Sequence, residues 1–331
     1  MNKDSRLMDI GVVVIGRNEG DRLKRCLRST IAQLNVVVYV DSGSTDGSPE
    51  WAAGQGVQVV DLDLSSPFTA ARARNAGAAR VLELASTVRY VQFIDGDCEL
   101  VPMWLEHAHA HLELNPAVVA ACGRLRERHP DRSIYNQMCD IEWNTPVGLA
   151  RYFGGIVMIR TKAFHEVGGF REDLIAGEEP ELAIRLRKAG GSLARLDFEM
   201  ALHDADILRF SQWWRRSVRA GYAFALGASI HGAPPERHWV RESRRSLGWG
   251  FFIPLLGLLC ALMGYFYPML AVIVLFPIQW LRLFTKSRGD RRLRMATATF
   301  LIIGKFAEFN GQLRFFWHRI IRRQSRIIEY K

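Results

Sequence analysis

Short apolar runs alternate with longer amphipathic stretches through the first hundred residues. Ile10-Gly-Val-Val-Val-Ile15 is continuous and apolar, the pattern of a strand buried on both faces. After a polar loop, Leu23, Leu27, Ile31 and Leu34 recur at helical spacing and predict a helix from about Asp21 to Leu34. Val36-Val-Val-Tyr-Val40 and Val57-Gln-Val-Val60 are two further strands. A helix from about Thr69 to Leu84 then leads into a fourth, Val91-Gln-Phe-Ile94. This order predicts an α/β, doubly wound, mostly parallel sheet. The second strand stops in Asp41 and the fourth in Asp95, and ligands of such sheets bind beyond the carboxyl ends of the strands.

The fourth strand carries the most chemistry, because it ends in Asp95-Gly96-Asp97. Two acids so close repel each other unless a cation sits beside them, and Mg²⁺ typically takes one or two carboxylates plus substrate phosphates. An ordinary Asp-Gly turn is the alternative. No GxGxxG or P-loop pattern is present, so a nucleotide would be held by acids at strand ends rather than by a glycine-rich cradle. Farther on, Gly177-Glu178-Glu179-Pro180 precedes a helical stripe of Leu182, Leu186 and Ala189, which Gly190-Gly191 ends. Pro180 suits the first helical position, making Glu179 the expected N-cap. A helix N-terminus favours the ionised carboxylate, the form a general base requires. His107, His109 and His111 recur every second residue, which puts them on no common helix face.

Composition narrows the partners. Lys and Arg number 44 against 34 acids, a net charge of +10. Before residue 200 the two signs are interspersed; after it, arginines stand beside long apolar runs, which points to a membrane surface. Nucleic acid is not an expected partner for that reason. Five cysteines form no CxxC pair or zinc spacing and are expected as reduced core thiols. The apolar run at Ile10 is too short for a signal peptide.

From Gly248 to Phe284 the chain is almost wholly apolar, and Pro268 is the expected divider of two short helices. Arginines on both flanks predict a hairpin with both ends cytoplasmic, either spanning or re-entrant; a buried helical hairpin is the alternative. Residues 295–321 suit an amphipathic helix on the membrane, with Arg322, Arg323 and Arg326 at anionic headgroups. The expected division is a catalytic domain over 1–235 and a membrane-associated helical region over 236–331, with its hairpin at about 248–284.

Taken jointly, Arg17-Asn18-Glu19, Asp41-Ser42-Gly43-Ser44-Thr45-Asp46-Gly47, Ala73-Arg74-Asn75-Ala76-Gly77, Asp95-Gly96-Asp97, Gly168-Gly169-Phe170 and Gly177-Glu178-Glu179 resemble the nucleotide-sugar domain of family 2 glycosyltransferases over about residues 10–220. The resemblance implies a GT-A fold and inverting, metal-dependent sugar transfer, here with a C-terminal membrane anchor. It implies that Asn18, Glu19, Asp41, Ser42, Asp46 and Asp95 hold the nucleotide, with Asp41 at the base and Asp95 at the ribose. Asp97 would ligate Mg²⁺ or Mn²⁺. Arg74 either faces the site or belongs to a solvated helix face, and His203 is either a further metal ligand or structural. The family usually carries Glu-Asp where this chain has Glu178-Glu179, so Glu179 is the expected base and Glu178 the other candidate. Gln212-Trp-Trp-Arg215-Arg216 resembles only in part the QxxRW motif of processive synthases. The expected acceptor is lipid-linked or a surface glycan, at the inner membrane with the catalytic part in the cytoplasm. A catalytically inactive nucleotide-sugar-binding protein is the other reading.

Overall fold

The computed structural model describes residues 7–34 and 36–321. By contacts they form two compact units. One comprises the residues up to His129 together with Glu142–Ala205, and the other comprises Pro130–Ile141 with the residues from Asp206 onward.

The first unit is built on one mixed sheet. β1 (Ile10–Gly16), α1 (Asp21–Ile31), β2 (Val37–Asp41), α2 (Ser48–Gly54), β3 (Gln58–Asp61), α3 (Ala70–Leu84) and β4 (Tyr90–Asp95) are the expected alternation. Their strands pair in parallel in the order β3-β2-β1-β4. Next come β5 (Cys98–Leu100), α4 (Trp104–Leu114), β6 (Val118–Glu127), β7 (Gly148–Leu149), β8 (Val157–Arg160), α6 (Thr161–Glu166), α7 (Glu178–Lys188) and β9 (Ser192–His203); α5 (Ile134–Trp143), between β6 and β7 in the chain, belongs through Ile141 to the second unit. These strands extend the sheet past β4 in the order β8-β6-β9-β5, with β7 also on β9. Only the β6–β9 pairing there is parallel.

Sequence patterns explain why the sheet is covered on both sides. The residues of β1 and β2 are buried almost throughout. The helix α3 comes close to β1 because Gly77 has no side chain: a Cβ there would collide with Val13 and lie 3.0 Å from Val40. Buried Gln92, in the middle of β4, is satisfied by the indole N–H of Trp104 at 2.9 Å, and its own amide donates to the Phe93 carbonyl. All five cysteines are free and buried, as expected.

Several boundaries differ from expectation. The run Arg151–Ile159, strand-like in sequence with a glycine break, is β-paired only at Val157–Arg160; Gly155 lies against polar side chains, where a Cβ would fall on Asp95 Oδ2. In sequence, residues 192–196 and 198–202 read as two segments, yet Ser192–His203 is one strand, β9, which absorbs a register shift against β6.

The second unit is helical: α8 (Phe210–His231), α9 (Val240–Leu247), α10 (Ile253–Leu262), α11 (Phe266–Lys286) and α12 (Arg291–Ile320), with a π-helical turn at Gly248–Phe252 joining α9 to α10. The sequence places a helix start at Asp204 and Asp206, but α8 begins at Phe210, and Asp206 pairs with Arg132 at 3.1 Å. The hairpin turns at Gly264, whose φ is +73°, and not at Pro268. Pro268 sits in the first turn of α11, where a missing N–H has no helical partner to lose. Val240–Leu262 and Phe266–Lys286 are long and apolar enough to cross a membrane, and only 17% and 6% of their apolar windows are buried, so they are not the interior of this unit.

The helix expected at 295–321 is α12, and one side of it is covered within this unit. α12 packs against α8 through glycines: a Cβ on Gly221 would strike the Glu308 backbone, and one on Gly311 the Val218 carbonyl. The charges that interrupt its apolar pattern are paired within the unit, Glu308 taking Lys305 at 2.6 Å and the Ser246 hydroxyl. The arginines Arg322, Arg323 and Arg326 lie outside the described residues.

Gly77→Ala is expected to destabilise the protein by about 1–3 kcal/mol through overpacking against Val13, read as a lowered midpoint of chemical unfolding. An unchanged midpoint would show that α3 can move off the sheet.

Candidate active site

Parallel register aligns the strand ends. Gly16 lies opposite Asp41, Ile15 opposite Asp95, and Asp41 opposite Asp61, so the acids that end β2 and β4 share one rim. Two loops on this rim are tied to each other. Asn18, at φ +55°, accepts the Thr45 amide at 2.7 Å, and its own amide donates to Ser44 Oγ at 2.8 Å. Asp46 accepts the Gly20 amide at 3.0 Å and the Ser48 amide at 3.1 Å. Burial works to raise the Asp46 pKa, but the hydrogen bonds from Ser48 and Gly20 outweigh it and hold the carboxyl below its ordinary range.

Asp41 is tied into the loop that follows β2. It is 3% exposed, and its carboxylate accepts from the Tyr39 hydroxyl, the Gly43 and Ser44 amides and the Ser44 hydroxyl at 2.5–2.8 Å. A carboxylate has about four acceptor positions, and these four donors fill them. Asp41 therefore shapes the loop after β2. Neighbouring Ser42 is buried, and its amide extends the β1–β2 ladder to the Gly16 carbonyl. Glu19 likewise has a local partner, Arg22 at 2.9 Å.

The residues at the centre of the rim converge on Arg74. This arginine is 2% exposed on the inner face of α3, not on a solvated face. Its Nη2 donates to Asp95 Oδ1 at 2.8 Å and lies 3.3 Å from Glu179 Oε1, while Nη1 donates to Glu178 Oε1 at 3.0 Å. The guanidinium also lies over the Phe170 ring, 5.4 Å from its centroid. Burial opposes the charge on Arg74, but Asp95, Glu179 and Glu178 outweigh it and raise its pKa. Gly155 makes room for the group: a Cβ there would fall on Asp95 Oδ2 and 2.8 Å from Arg74 Nη2.

Glu178 and Glu179 occupy the first turn of α7, whose N-cap is Gly177 at φ +82° and not Glu179. Pro180 is then the third helical residue, where its lack of an N–H is still tolerated. Glu178 is 3% exposed and Glu179 is 18% exposed. Burial raises the Glu179 pKa first and the Glu178 charge adds to it; Arg74 offsets them only in part, so the carboxyl is pushed up to about 7. Glu178 Oε2 and Arg74 Nε are buried with no hydrogen-bond partner among the described residues. Such atoms mark a site whose polar groups are not built only for the fold.

Asp97 and His203 also meet. β5 runs antiparallel to β9 with Cys98 opposite His203, which brings His203 Nε2 to 3.1 Å from Asp97 Oδ2. Cys98 donates to Asp97 Oδ1 at 3.3 Å; burial, with the Asp95 charge behind it, raises its thiol pKa. The ligating atoms of Asp97, Cys98 and His203 lie within 4.8 Å of one another. A carboxylate and an imidazole so placed fit a divalent cation.

Comparison with known proteins agrees with this geometry. The model of glycosyl transferase family 2 matches residues 11–171, which carry the loops, Arg74 and Asp95-Gly96-Asp97. Through residues 11–171 the chain belongs to glycosyl transferase family 2. A second model, the N-terminal domain of galactosyltransferase, matches residues 138–205, which carry Glu178, Glu179 and His203. The pre-mycofactocin glycosyltransferase of Mycobacterium tuberculosis is 25% identical over 209 residues, 59% of this chain and 43% of that protein, so the match spans less than half of that relative. Among solved structures, the mannosyltransferase PcManGT of Pyrobaculum calidifontis, in complex with GDP-Man and Mn²⁺, superposes with a TM-score of 0.59 at 17% identity, over 94% of this chain and 88% of that one. TarS of S. aureus, in complex with UDP-GlcNAc, gives 0.50 at 14% identity over 93% and 92%. These likenesses establish the GT-A fold.

Asn75, Gly155 and Phe170 escaped the sequence reading as site residues. Asn75 pairs with both backbone groups of Phe170 at 2.9 Å and so seats the ring under Arg74. Its place directly after Arg74 in the quoted motif was the available signal. Nothing in the local sequence marks Gly155 as the residue that admits Asp95. Arg74→Met is expected to cost about 3–5 kcal/mol, because it leaves buried carboxylates without their cation. The loss should be smaller at pH 5 than at pH 8, since protonation removes the repulsion; a pH-independent loss in denaturant unfolding would contradict the charge account.

Proposed function

We propose that this glycosyltransferase moves a sugar, with inversion, from a nucleotide-sugar donor to a lipid-linked or surface-glycan acceptor at a membrane. One observation carries the reading: a partly exposed carboxyl, Glu179, pushed up to about 7 and tied through Arg74 to Asp95 at the strand-end rim. A base poised near the working pH is the most effective proton acceptor. Glu178 is the less suitable base, because it is buried and bonded to Arg74.

The donor lies across the strand ends, with Asn18, Ser42, Asp46 and the loops they order around the nucleotide and Asp95 at the ribose. Glu179 takes the proton from an acceptor hydroxyl. The acceptor oxygen bonds to the anomeric carbon on the face opposite the diphosphate, and the bond from that carbon to the diphosphate oxygen breaks. Arg74 stays charged throughout and fixes Glu179 and Asp95 relative to each other. A divalent cation, Mn²⁺ or Mg²⁺, held by Asp97 and His203, would neutralise the charge that develops on the leaving diphosphate. PcManGT carries GDP-Man with Mn²⁺ and TarS carries UDP-GlcNAc, which supports a nucleotide-sugar donor here.

The exposed apolar helices α10 and α11 and the arginines on either side of them support a membrane anchor in the inner membrane, with the catalytic unit and both ends of the hairpin cytoplasmic. Anionic lipids are the matching partners for those arginines. Anchoring holds the enzyme near an acceptor confined to the same surface.

Glu179→Gln is expected to lower kcat by about 10²–10⁴-fold with donor binding retained. Because a raised pKa keeps Glu179 protonated in acid, activity should rise with pH along a limb centred near 7. Wild-type turnover in Glu179→Gln would remove the mechanism, whereas donor binding without turnover in the wild type would make the chain a binding protein.

A further inference from the structure

The donor set at Asp97 goes beyond a carboxylate and an imidazole, and the following rests on the metal reading above. The two Asp97 oxygens face different partners: Oδ2 faces His203 Nε2 at 3.1 Å and Oδ1 faces Cys98 Sγ at 3.3 Å. All three ligating groups sit on or beside two hydrogen-bonded strands, with Cys98 opposite His203 and the Asp204 amide donating to the Asp97 carbonyl at 3.0 Å. The arrangement is therefore fixed by backbone pairing, not by mobile loops. Cys98 is 2% exposed, and the side chains of Asp97 and His203 are 9% and 13% exposed.

A second group, Asp9, His109 and Glu113, has the same close spacing. Arg89 pairs with both of its acids, at 3.4 and 2.5 Å, and already supplies the positive charge there. Asp97 instead has an imidazole and a thiol within reach of its two oxygens.

Oxygen, nitrogen and sulfur together are a poor match for Mg²⁺, which takes oxygen ligands and keeps its waters. Imidazole and thiolate favour later and softer divalent ions, in the order that places Zn²⁺ well above Mn²⁺. We propose that Cys98 is a third protein ligand of the cation at Asp97 and His203, and that its sulfur turns the site away from Mg²⁺ and toward Mn²⁺ and thiophilic ions such as Zn²⁺ and Cd²⁺. Binding forms a bond from Sγ to the metal, and the thiol proton, now donated to Asp97, leaves to solvent; a coordinating thiol is deprotonated outright. Zn²⁺ then competes with Mn²⁺ for one site.

The test uses the metal-free full chain in detergent. X-ray absorption of the wild-type protein loaded with one equivalent of Zn²⁺ is expected to show one sulfur scatterer at about 2.3 Å. Cd²⁺ titration should produce a thiolate-to-cadmium ultraviolet band that Cys98→Ser abolishes and Cys26→Ser retains. Cys98→Ser should also weaken Cd²⁺ binding by about tenfold or more, the loss that removing even an outer-shell partner brings. A Zn²⁺ shell of nitrogen and oxygen only, or a Cd²⁺ band that persists in Cys98→Ser, would overturn the proposal. Mn²⁺ spin resonance separates the two levels. Binding that needs Asp97 in a protein whose Zn²⁺ shell lacks sulfur overturns the Cys98 assignment alone. Absence of any Mn²⁺ binding by the wild type overturns the metal reading beneath it as well.

Discussion

A single buried guanidinium holds the rim of this enzyme together. Arg74 reaches Asp95 at the end of β4 and both Glu178 and Glu179 at the start of α7, elements separated by about eighty residues of chain. Three carboxylates against one cation leave an excess of negative charge in a poorly solvated place. That excess, together with burial, is why Glu179 holds its proton to near neutrality. The planar fork of arginine suits this role, since two acids can be bonded by separate nitrogens at once. Gly155, Asn75 and Phe170 serve the same centre: the first leaves room for it, and the other two support the guanidinium from below.

Much of this was legible in the chain. Continuous apolar runs marked the parallel strands, and because they end in Asp41 and Asp95 the rim could be placed before any coordinates. Periodicity and acid placement say little, however, about which partner an acid finds. Asp41 looks like a ligand acid by position, yet Tyr39 and Ser44, two residues before it and three after, fill its acceptors. The N-cap of α7 was misplaced for a related reason. A proline marks a helix start only to within a turn, and Gly177 could take the left-handed conformation that set the start earlier. Arg74 could not be oriented from sequence, since its burial depends on the small residues Ala71, Gly77 and Ala78 that bring α3 down onto the sheet.

The helical unit shows the same division between pattern and partner. Its charge-free stretch from Ser246 to Leu281 announces a hairpin that water does not favour, and the exposure of α10 and α11 agrees. Lys305 and Glu308 interrupt the apolar pattern of α12. They are spent on each other and on Ser246, and glycines on α8 and α12 bring the two backbones into contact. Small residues at close helix crossings leave no hydrophobic stripe to read, which is why this packing is invisible to periodicity.

The central claim is electrostatic, and the protonation state of Glu179 tests it without reference to any substrate. Difference infrared spectroscopy between pH 6 and pH 8 reads the carbonyl stretch of a protonated carboxyl directly. The account requires a band at pH 6 that disappears near pH 7, is missing from Glu179→Gln and persists to higher pH when Arg74 is replaced by methionine. A wild-type protein whose carboxyls are all ionised at pH 6 would contradict it.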